Sequence, residues 1–465
     1  MKSIYKHTGW ILLASLLFIS CNKKLDLAPE GTLTEKDALS DSANALSLLA
    51  GVYQSCWLAS TGDEYTLGDL TTGVSQASVN NYTTGAIDAR DATVAAFWNE
   101  NYATINLANV IIVSLPQSAR FSAGFQQQLI AEAKFIRAFS YFNLLILFGD
   151  GALQGKMDSM GVPLRLQPFS GYNGSQNIAR STNGQVYSQI LQDLGEAIHA
   201  LPAGYSDDLS QRTRATQGSG RALAARVNLY MKNYDQCIAF CDSVLGDSHF
   251  QLQASATGVF ANNSSGTKRY AFNPEIVFAF PTSYNNDPTQ YGENGIYYYY
   301  SYIWPTTGFA ATYAAGDLRR TTMIMPNAFS SNLTTIKFSD PNDRDNLVML
   351  RLAEVVLNKA EAMAYKAGVN QTSVDLLNTI HQRAFASGSA PALYTTGDFA
   401  DEQALIDQLL QERQWELAFE GQDRFDKIRS GKQPNPTLPS TKYALPIPQP
   451  DIDLTSGLIK QNPGY

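Results

Sequence analysis

Gln411-Glu412-Arg413-Gln414-Trp415-Glu416-Leu417-Ala418-Phe419-Glu420-Gly421-Gln422-Asp423-Arg424-Phe425-Asp426 is the stretch around which this chain is organised. Leu405, Leu409, Glu412, Glu416 and Phe419 recur at three- and four-residue steps, and no Gly or Pro intervenes between Asp401 and Gly421. That period predicts a helix. Gly421 supplies a left-handed stop, a conformation cheap only without a Cβ. Glu412, Glu416 and Glu420 then stack on one helical face, with Arg413 and Arg424 within reach. Like charges at this spacing repel unless cations compensate. The expectation is therefore a helix ion-paired to its neighbours, not a carboxylate pair poised for acid–base chemistry.

Outward from this stretch, helical period recurs along most of the chain. After Asp340 helices are expected to resume, with Leu350, Ala353, Leu357, Ala360 and Ala364 on one seam. The polar run Asp340-Pro341-Asn342-Asp343-Arg344-Asp345-Asn346 departs from a calcium loop, because Arg351 stands where the closing Glu belongs. It reads as a turn capping a helix that starts at Leu347. Ala131 to Phe148 is the strongest helix: Phe135, Phe139, Phe142 and Ile146 line one face and Ala131, Ala138 and Leu145 the next, which suits the centre of a bundle. Ser181 to Leu201 is a helix capped by Ser181 or Thr182 and closed by Pro202. Gly220 to Tyr230 and Tyr234 to Leu245 form a pair about Met231-Lys232-Asn233, with Ala222, Ala225 and Ala239 at packing positions. Glu35 to Leu58 is helical, and helix returns at Ala92, where Trp98, Tyr102, Ile105 and Asn109 are spaced along it. Two stretches lose the period: Thr61 to Asp91 reads as long loops, and Phe250 to Ala328 as loops around an alternating strand, Glu275 to Phe280.

Several of these segments resemble the SusD/RagB family. Glu412-Arg413 followed by Glu416-Leu417-Ala418-Phe419-Glu420-Gly421 and Arg424-Phe425-Asp426 is similar to the family's signature. So are Trp98, Tyr102, Ile105 and Asn109, and the run Ala131-Glu132-Ala133-Lys134-Phe135-Ile136-Arg137-Ala138. Leu350-Arg351-Leu352-Ala353-Glu354, Leu445-Pro446-Ile447-Pro448 and Gln461-Asn462-Pro463-Gly464-Tyr465 add to the resemblance, which covers nearly the whole mature chain. The expected fold is mostly α: degenerate tetratricopeptide-like helix pairs, irregular in spacing, with a lobe of loops and short strands. The expected organisation is a leader at 1–20, a tether at 21–36, an N-terminal helical region at 37–249 and a C-terminal region with aromatic-rich loops at 250–465. The resemblance implies a surface lipoprotein that captures nutrients, mostly glycans, for a SusC-like TonB-dependent outer-membrane transporter.

The leader can be read without the resemblance. Lys2 and Lys6 precede an apolar run, Trp10 to Ile19, too short to span a bilayer. Leu17-Phe18-Ile19-Ser20-Cys21 resembles a bacterial lipobox, so Cys21 is the expected acylation site, and buried acyl chains at about 0.8 kcal/mol per methylene anchor a soluble body to outer-membrane lipid. Without Lys2 and Lys6 the chain holds 42 acidic against 32 basic residues, a net of −10. With no basic cluster to offset it, this argues against a nucleic-acid partner. Charged residues make up only 16% of the chain, against 24 Tyr and 22 Phe, a composition suited to neutral polar ligands. Cys237 and Cys241, four apart on one helix, are poor disulfide geometry, and with Cys56 they are expected to be buried thiols. His199, His249 and His381 are scattered without metal spacing. No metal, no cofactor and no catalytic motif is expected.

The function expected is non-catalytic binding of an oligosaccharide; a surface glycoside hydrolase and a tetratricopeptide-type scaffold for other proteins are the alternatives. Sugar rings present flat C–H faces that pack on aromatic rings, and hydroxyls that need polar partners. Two stretches offer both. One holds Asn80, Asn81 and Tyr82. The other runs from Asn294 to Trp304, where an extended backbone projects Tyr298, Tyr300, Tyr302 and Trp304 to one face. The competing reading packs that face on the helical body.

Overall fold

The computed structural model of the protein describes residues 38–60, 63–77, 81–169, 171, 177–260, 272–281, 303–327, 330–338 and 346–465. Residues 1–47 form one unit, of which the start of α1 (Ser42–Ser60) is described, and Leu48–Tyr465 form the second. Its elements are α2 (Asp63–Leu70), β1 (Ser75–Ala77), α3 (Ala92–Ser114), α4 (Ala123–Phe148), α5 (Asn183–Ala200), α6 (Gln217–Tyr230), α7 (Tyr234–Leu245), β2 (Ile276–Phe280), β3 (Ile303–Pro305), β4 (Ile324–Pro326), β5 (Leu333–Thr335), β6 (Leu347–Arg351), α8 (Leu352–Ala367), α9 (Gln371–Gln382), α10 (Glu402–Glu416) and α11 (Asp423–Arg429). The chain is mostly helical, and its strands pair antiparallel in short ribbons, β1 with β3, β2 with β6 and β4 with β5. Among the described residues no helix is long and apolar enough to cross a membrane.

The helices meet in pairs, as the repeat reading expects. α4 starts where the Ser122 hydroxyl accepts the Phe125 N–H, and both its apolar rows are buried. α5 opens on a reciprocal cap between Thr182 and Gln185 and stops before Pro202. Arg137 on α4 clasps Asp193 on α5 with two bonds of 2.8 and 2.6 Å. α6 and α7 join through Lys232, whose φ of +62° is the left-handed value the tight turn demands. Arg226 on α6 reaches Glu354 on α8 with bonds of 2.7 and 2.6 Å and also the Met349 carbonyl. Such forked pairs fix orientation as well as charge, since a planar guanidinium matches a carboxylate edge. Cys56, Cys237 and Cys241 are buried free thiols, and burial pushes the Cys241 thiol up.

Several local expectations are corrected. The Thr61–Asp91 stretch is not simply loop: α2 forms inside it and buries Leu67 and Leu70, because Gly68 lets its backbone lie directly on the turn at Gly421. Leu347 opens a strand and no helix; Leu350 pairs with Phe278, and the helical seam begins only at Leu352. All five residues of β2 are buried, so the strand does not alternate. Phe278 meets Phe135 edge-on at 5.1 Å on one side and Phe139 at 6.4 Å, packing the strand against α4. Ala222 and Ala225 are buried as expected, but Ala239 is exposed, and α7 packs through Cys237, Cys241 and Val244. Finally, α10 ends at Glu416 rather than at Gly421. Phe419 takes φ +65° and Gly421 φ +71°, and the buried Phe419 ring stands edge-on to Phe309 at 5.8 Å.

Candidate functional site

The glutamate stripe of α10 is a buried structural network. Arg319 donates to Glu412 at 2.6 Å, to Glu416 at 3.1 Å and to Asp317 at 2.8 Å. Arg351 donates to Glu416 at 2.7 Å, to Glu420 at 2.8 Å, to Glu275 at 3.0 Å and to the Glu416 carbonyl at 2.6 Å. Arg383 bridges Glu275 and Glu416. His381 Nδ1 lies 2.8 Å from Glu412. Burial alone pushes the Glu416 carboxyl up, and the guanidiniums of Arg383, Arg351 and Arg319 overcome it, holding it well below the usual carboxylate range. Glu420 is lowered against the same burial by Arg351 and Lys337.

The expected partners Arg413 and Arg424 point elsewhere, Arg413 to Asp426 and Asn358 and Arg424 to the Tyr443 carbonyl. What the stripe does is hold the turn after α10. Lys337 donates to Glu420 at 2.6 Å and to the carbonyls of Ala418 at 2.7 Å and Glu416 at 3.2 Å, a cation on carbonyls that the ending helix leaves open. The turn in turn seats α2, where Asp69 accepts the Gly421 N–H at 3.3 Å.

From α2 the chain passes Gly73, at φ +82°, into β1. There Ser75 pairs with Pro305, Gln76 with Trp304 and Ala77 with Ile303. Thr306 locks the other end, donating its N–H to the Val74 carbonyl at 3.0 Å and its hydroxyl to that of Gly73 at 2.7 Å. Ser75, Ile303 and Pro305 face inward, whereas Gln76 is exposed and Trp304 half-buried, so amide and indole share the outer face. The indole Nε1 is buried and finds no acceptor among the described residues.

Ala77 and Ile303 form the last pair of this ribbon, and both candidate stretches continue from it. In sequence, Asn80 follows Ala77 by three residues and Tyr302 directly precedes Ile303. Asn80, Asn294, Tyr298, Tyr300 and Tyr302 themselves lie outside the described residues. Asn81 is exposed at the start of a helical turn, Asn81–Thr84. The half-buried Tyr82 donates its hydroxyl at 3.1 Å to Asp91, the carboxylate that also caps α3. Trp304 is the one indole of the candidate set, and it sits beside Gln76, a residue the sequence did not single out.

A second aromatic ledge was also missed. Trp415 is half-buried, stacks on Tyr313 at 6.0 Å and 29°, and donates Nε1–H to the Thr312 hydroxyl at 3.0 Å. Arg319 lies 5.9 Å from both rings.

A family model described as "SusD family" matches residues 226–435, and one described as "Starch-binding associating with outer membrane" matches residues 32–229. The chain is 26% identical to SusD-like protein P2 of Formosa agariphila, over 99% of each chain. Among solved structures it resembles a SusD superfamily protein of Bacteroides thetaiotaomicron with a TM-score of 0.76 and 25% identity, covering 90% of this chain and 99% of the other. A laminarin-binding SusD-like protein is similar with a TM-score of 0.72 and 23% identity, over 91% of this chain and 100% of the other.

Proposed function

The chain belongs to the SusD/RagB family, and on that footing we propose that it captures oligosaccharide at the cell surface without cleaving it and hands it to a TonB-dependent outer-membrane transporter. The observation that supports this reading is the β1–β3 ribbon, in which Trp304 pairs with Gln76 on the outer face. An indole face takes the C–H side of a sugar ring, and amides take its hydroxyls. On this reading the aromatics Tyr82, Tyr298, Tyr300, Tyr302 and Trp304 supply the platform and Asn80, Asn81 and Asn294 its polar rim. The relative that binds laminarin and the starch-binding description of the matched family support the same class of ligand.

Affinity electrophoresis through starch, laminarin, xylan, mannan and pectin tests it. At least one of these should retard the protein while no reducing sugar is released. Trp304→Ala should weaken that retardation about tenfold, the loss of one central aromatic contact, with the urea midpoint close to wild type. Retardation unaffected by the substitution would remove the ribbon from the site, and released sugar would return the hydrolase reading.

The body is anchored to the outer membrane through acylated Cys21 and faces outward on the same reading, supported by the leader sequence and the family description. Cys21→Ser should leave the protein unattached to membranes in cell fractions. Protease added to intact cells should degrade the wild-type body; resistance until the outer membrane is broken would refute the outward orientation.

A further inference from the structure

Residues 163–169 lie on α3 and α4 as a strap whose backbone is held by four side chains. Tyr102 donates its hydroxyl to the Pro163 carbonyl at 2.8 Å. The Tyr141 hydroxyl donates to the Arg165 carbonyl and accepts the Arg165 N–H, each at 2.7 Å. Asn109 Nδ2 donates to the carbonyls of Arg165 at 2.9 Å and Gln167 at 3.3 Å, and Asn106 accepts the Phe169 N–H at 2.7 Å. Asn109 is itself fixed by a 2.8 Å bond from Arg137, the guanidinium that clasps Asp193. Burial pushes the Tyr141 hydroxyl up, so it keeps the proton it donates. The strap's conformation is thus set by the interior, through Tyr102 and Asn109 of the spaced α3 motif and Arg137 of the α4 run.

On its outside the strap carries two exposed side chains, Gln167 and Phe169, beside the half-buried Arg165. Arg165, Gln167 and Phe169 are alternate residues, and together with Tyr102, Asn106 and Asn109 they line a cleft. Phe169 is 55% exposed although its own N–H is pinned, and Gln167 is exposed beside it. The Arg165 guanidinium lies 5.7 Å from the Tyr102 ring centre. A ring on a backbone already ordered loses little further freedom when a ligand covers it, which is the condition under which a single stacking contact yields affinity. The remaining walls are amide, guanidinium and phenol together with the aliphatic Ala103 and Ile105, which suits a ligand that presents both an apolar face and a polar perimeter.

The geometry points to a second carbohydrate-binding site here, where a sugar ring of an oligosaccharide stacks on Phe169 and turns its hydroxyls to Gln167 and Arg165. The site shares no residue with the β1–β3 ribbon. It rests on the reading that the chain takes glycans and adds a separate contact for them, so that a long polysaccharide can be held at two points at once and retained more strongly than by either alone.

The test compares wild type, Trp304→Ala, Phe169→Ala, Gln167→Ala and the Trp304→Ala/Phe169→Ala double variant. It uses the same polysaccharide gels and then calorimetric titration with a heptasaccharide of whichever glycan retards the wild type. Two heptasaccharides should bind per wild-type chain; one of the two should bind about tenfold more weakly in Phe169→Ala, the other in Trp304→Ala, and both in the double variant. Phe169→Ala should weaken retention in the gel about tenfold and Gln167→Ala less. Because Phe169 is exposed, the thermal midpoint of Phe169→Ala should match wild type. One heptasaccharide per wild-type chain, with Phe169→Ala binding as wild type does, overturns the second site and leaves glycan capture standing. A wild type that none of the five polysaccharides retards overturns capture and this inference together.

Discussion

Replacing Arg351 by methionine should lower the unfolding free energy by about 3–5 kcal/mol, the usual consequence of breaking a buried ion pair from one side. Glu275, Asp317, Glu412, Glu416 and Glu420 share Arg319, Lys337, Arg351 and Arg383 as cations, with His381 on Glu412. Methionine keeps much of the length of the side chain but removes the guanidinium that joins Glu416, Glu420 and the Glu416 carbonyl, leaving Lys337 on the latter two and Arg319 and Arg383 on Glu416. The sign of the pH dependence follows from the directions at these carboxyls. In the wild type Glu416 and Glu420 are held below their unfolded values, so the stability they contribute is complete above about pH 4.5 and is lost as pH falls through their folded values. In the variant, burial is opposed by fewer cations and the two carboxyls move upward, so taking up a proton relieves the defect. The gap between variant and wild type should therefore be widest near pH 7 and narrow by pH 5. Urea unfolding at both pH values measures it; a deficit below about 1 kcal/mol at pH 7 would mean that the remaining cations re-pair without strain.

That network shows where the sequence is legible and where it is not. The three- and four-residue period puts Glu412, Glu416 and Glu420 on one helical face; the structure keeps the first two on α10 and carries Glu420 on the turn after it, and the cations that repulsion requires are present. The identity of those cations was not available, because Arg319, Lys337, Arg351 and Arg383 come from distant segments while the near candidates Arg413 and Arg424 serve Asp426 and a carbonyl. α4 and α5 were readable because caps and apolar rows are local signals. β6 was not: Leu347 to Arg351 is apolar enough for either element, and only its pairing with β2 selects the strand. Composition marks the two candidate stretches separately. The β1–β3 pairing that Ala77 and Ile303 close is a contact between positions far apart in sequence, the Thr306 bond to Gly73 spanning 233 positions, and no local pattern reports it.

Gly68→Ala should be the most damaging small substitution in the ribbon's support, costing about 3 kcal/mol or more. A Cβ at Gly68 would lie 2.0 Å from the Gly421 carbonyl oxygen, 2.4 Å from its carbon and 2.5 Å from its Cα. All three atoms are backbone, so no side chain can swing away, and the Gly421 turn cannot yield because its φ of +71° is fixed between Phe419 and a carbonyl set held by Lys337. Either α2 lifts from the turn, breaking the Asp69 bond to the Gly421 N–H, or the Lys337 and Arg351 contacts to Glu420 are disturbed. The first route loosens β1, which leaves α2 by a short turn, and with it the face that carries Trp304. Gly195→Ala separates this clash from the ordinary effect of removing a helical glycine. Gly195 lies inside α5 with nothing within 4 Å of its added Cβ, so that substitution should stabilise by about 0.5–1 kcal/mol. Urea unfolding of the two variants should move in opposite directions, and limited proteolysis of Gly68→Ala should cut first between α2 and α3. A Gly68→Ala protein as stable as wild type would show that the crossing of α2 over Gly421 is looser than the structure has it.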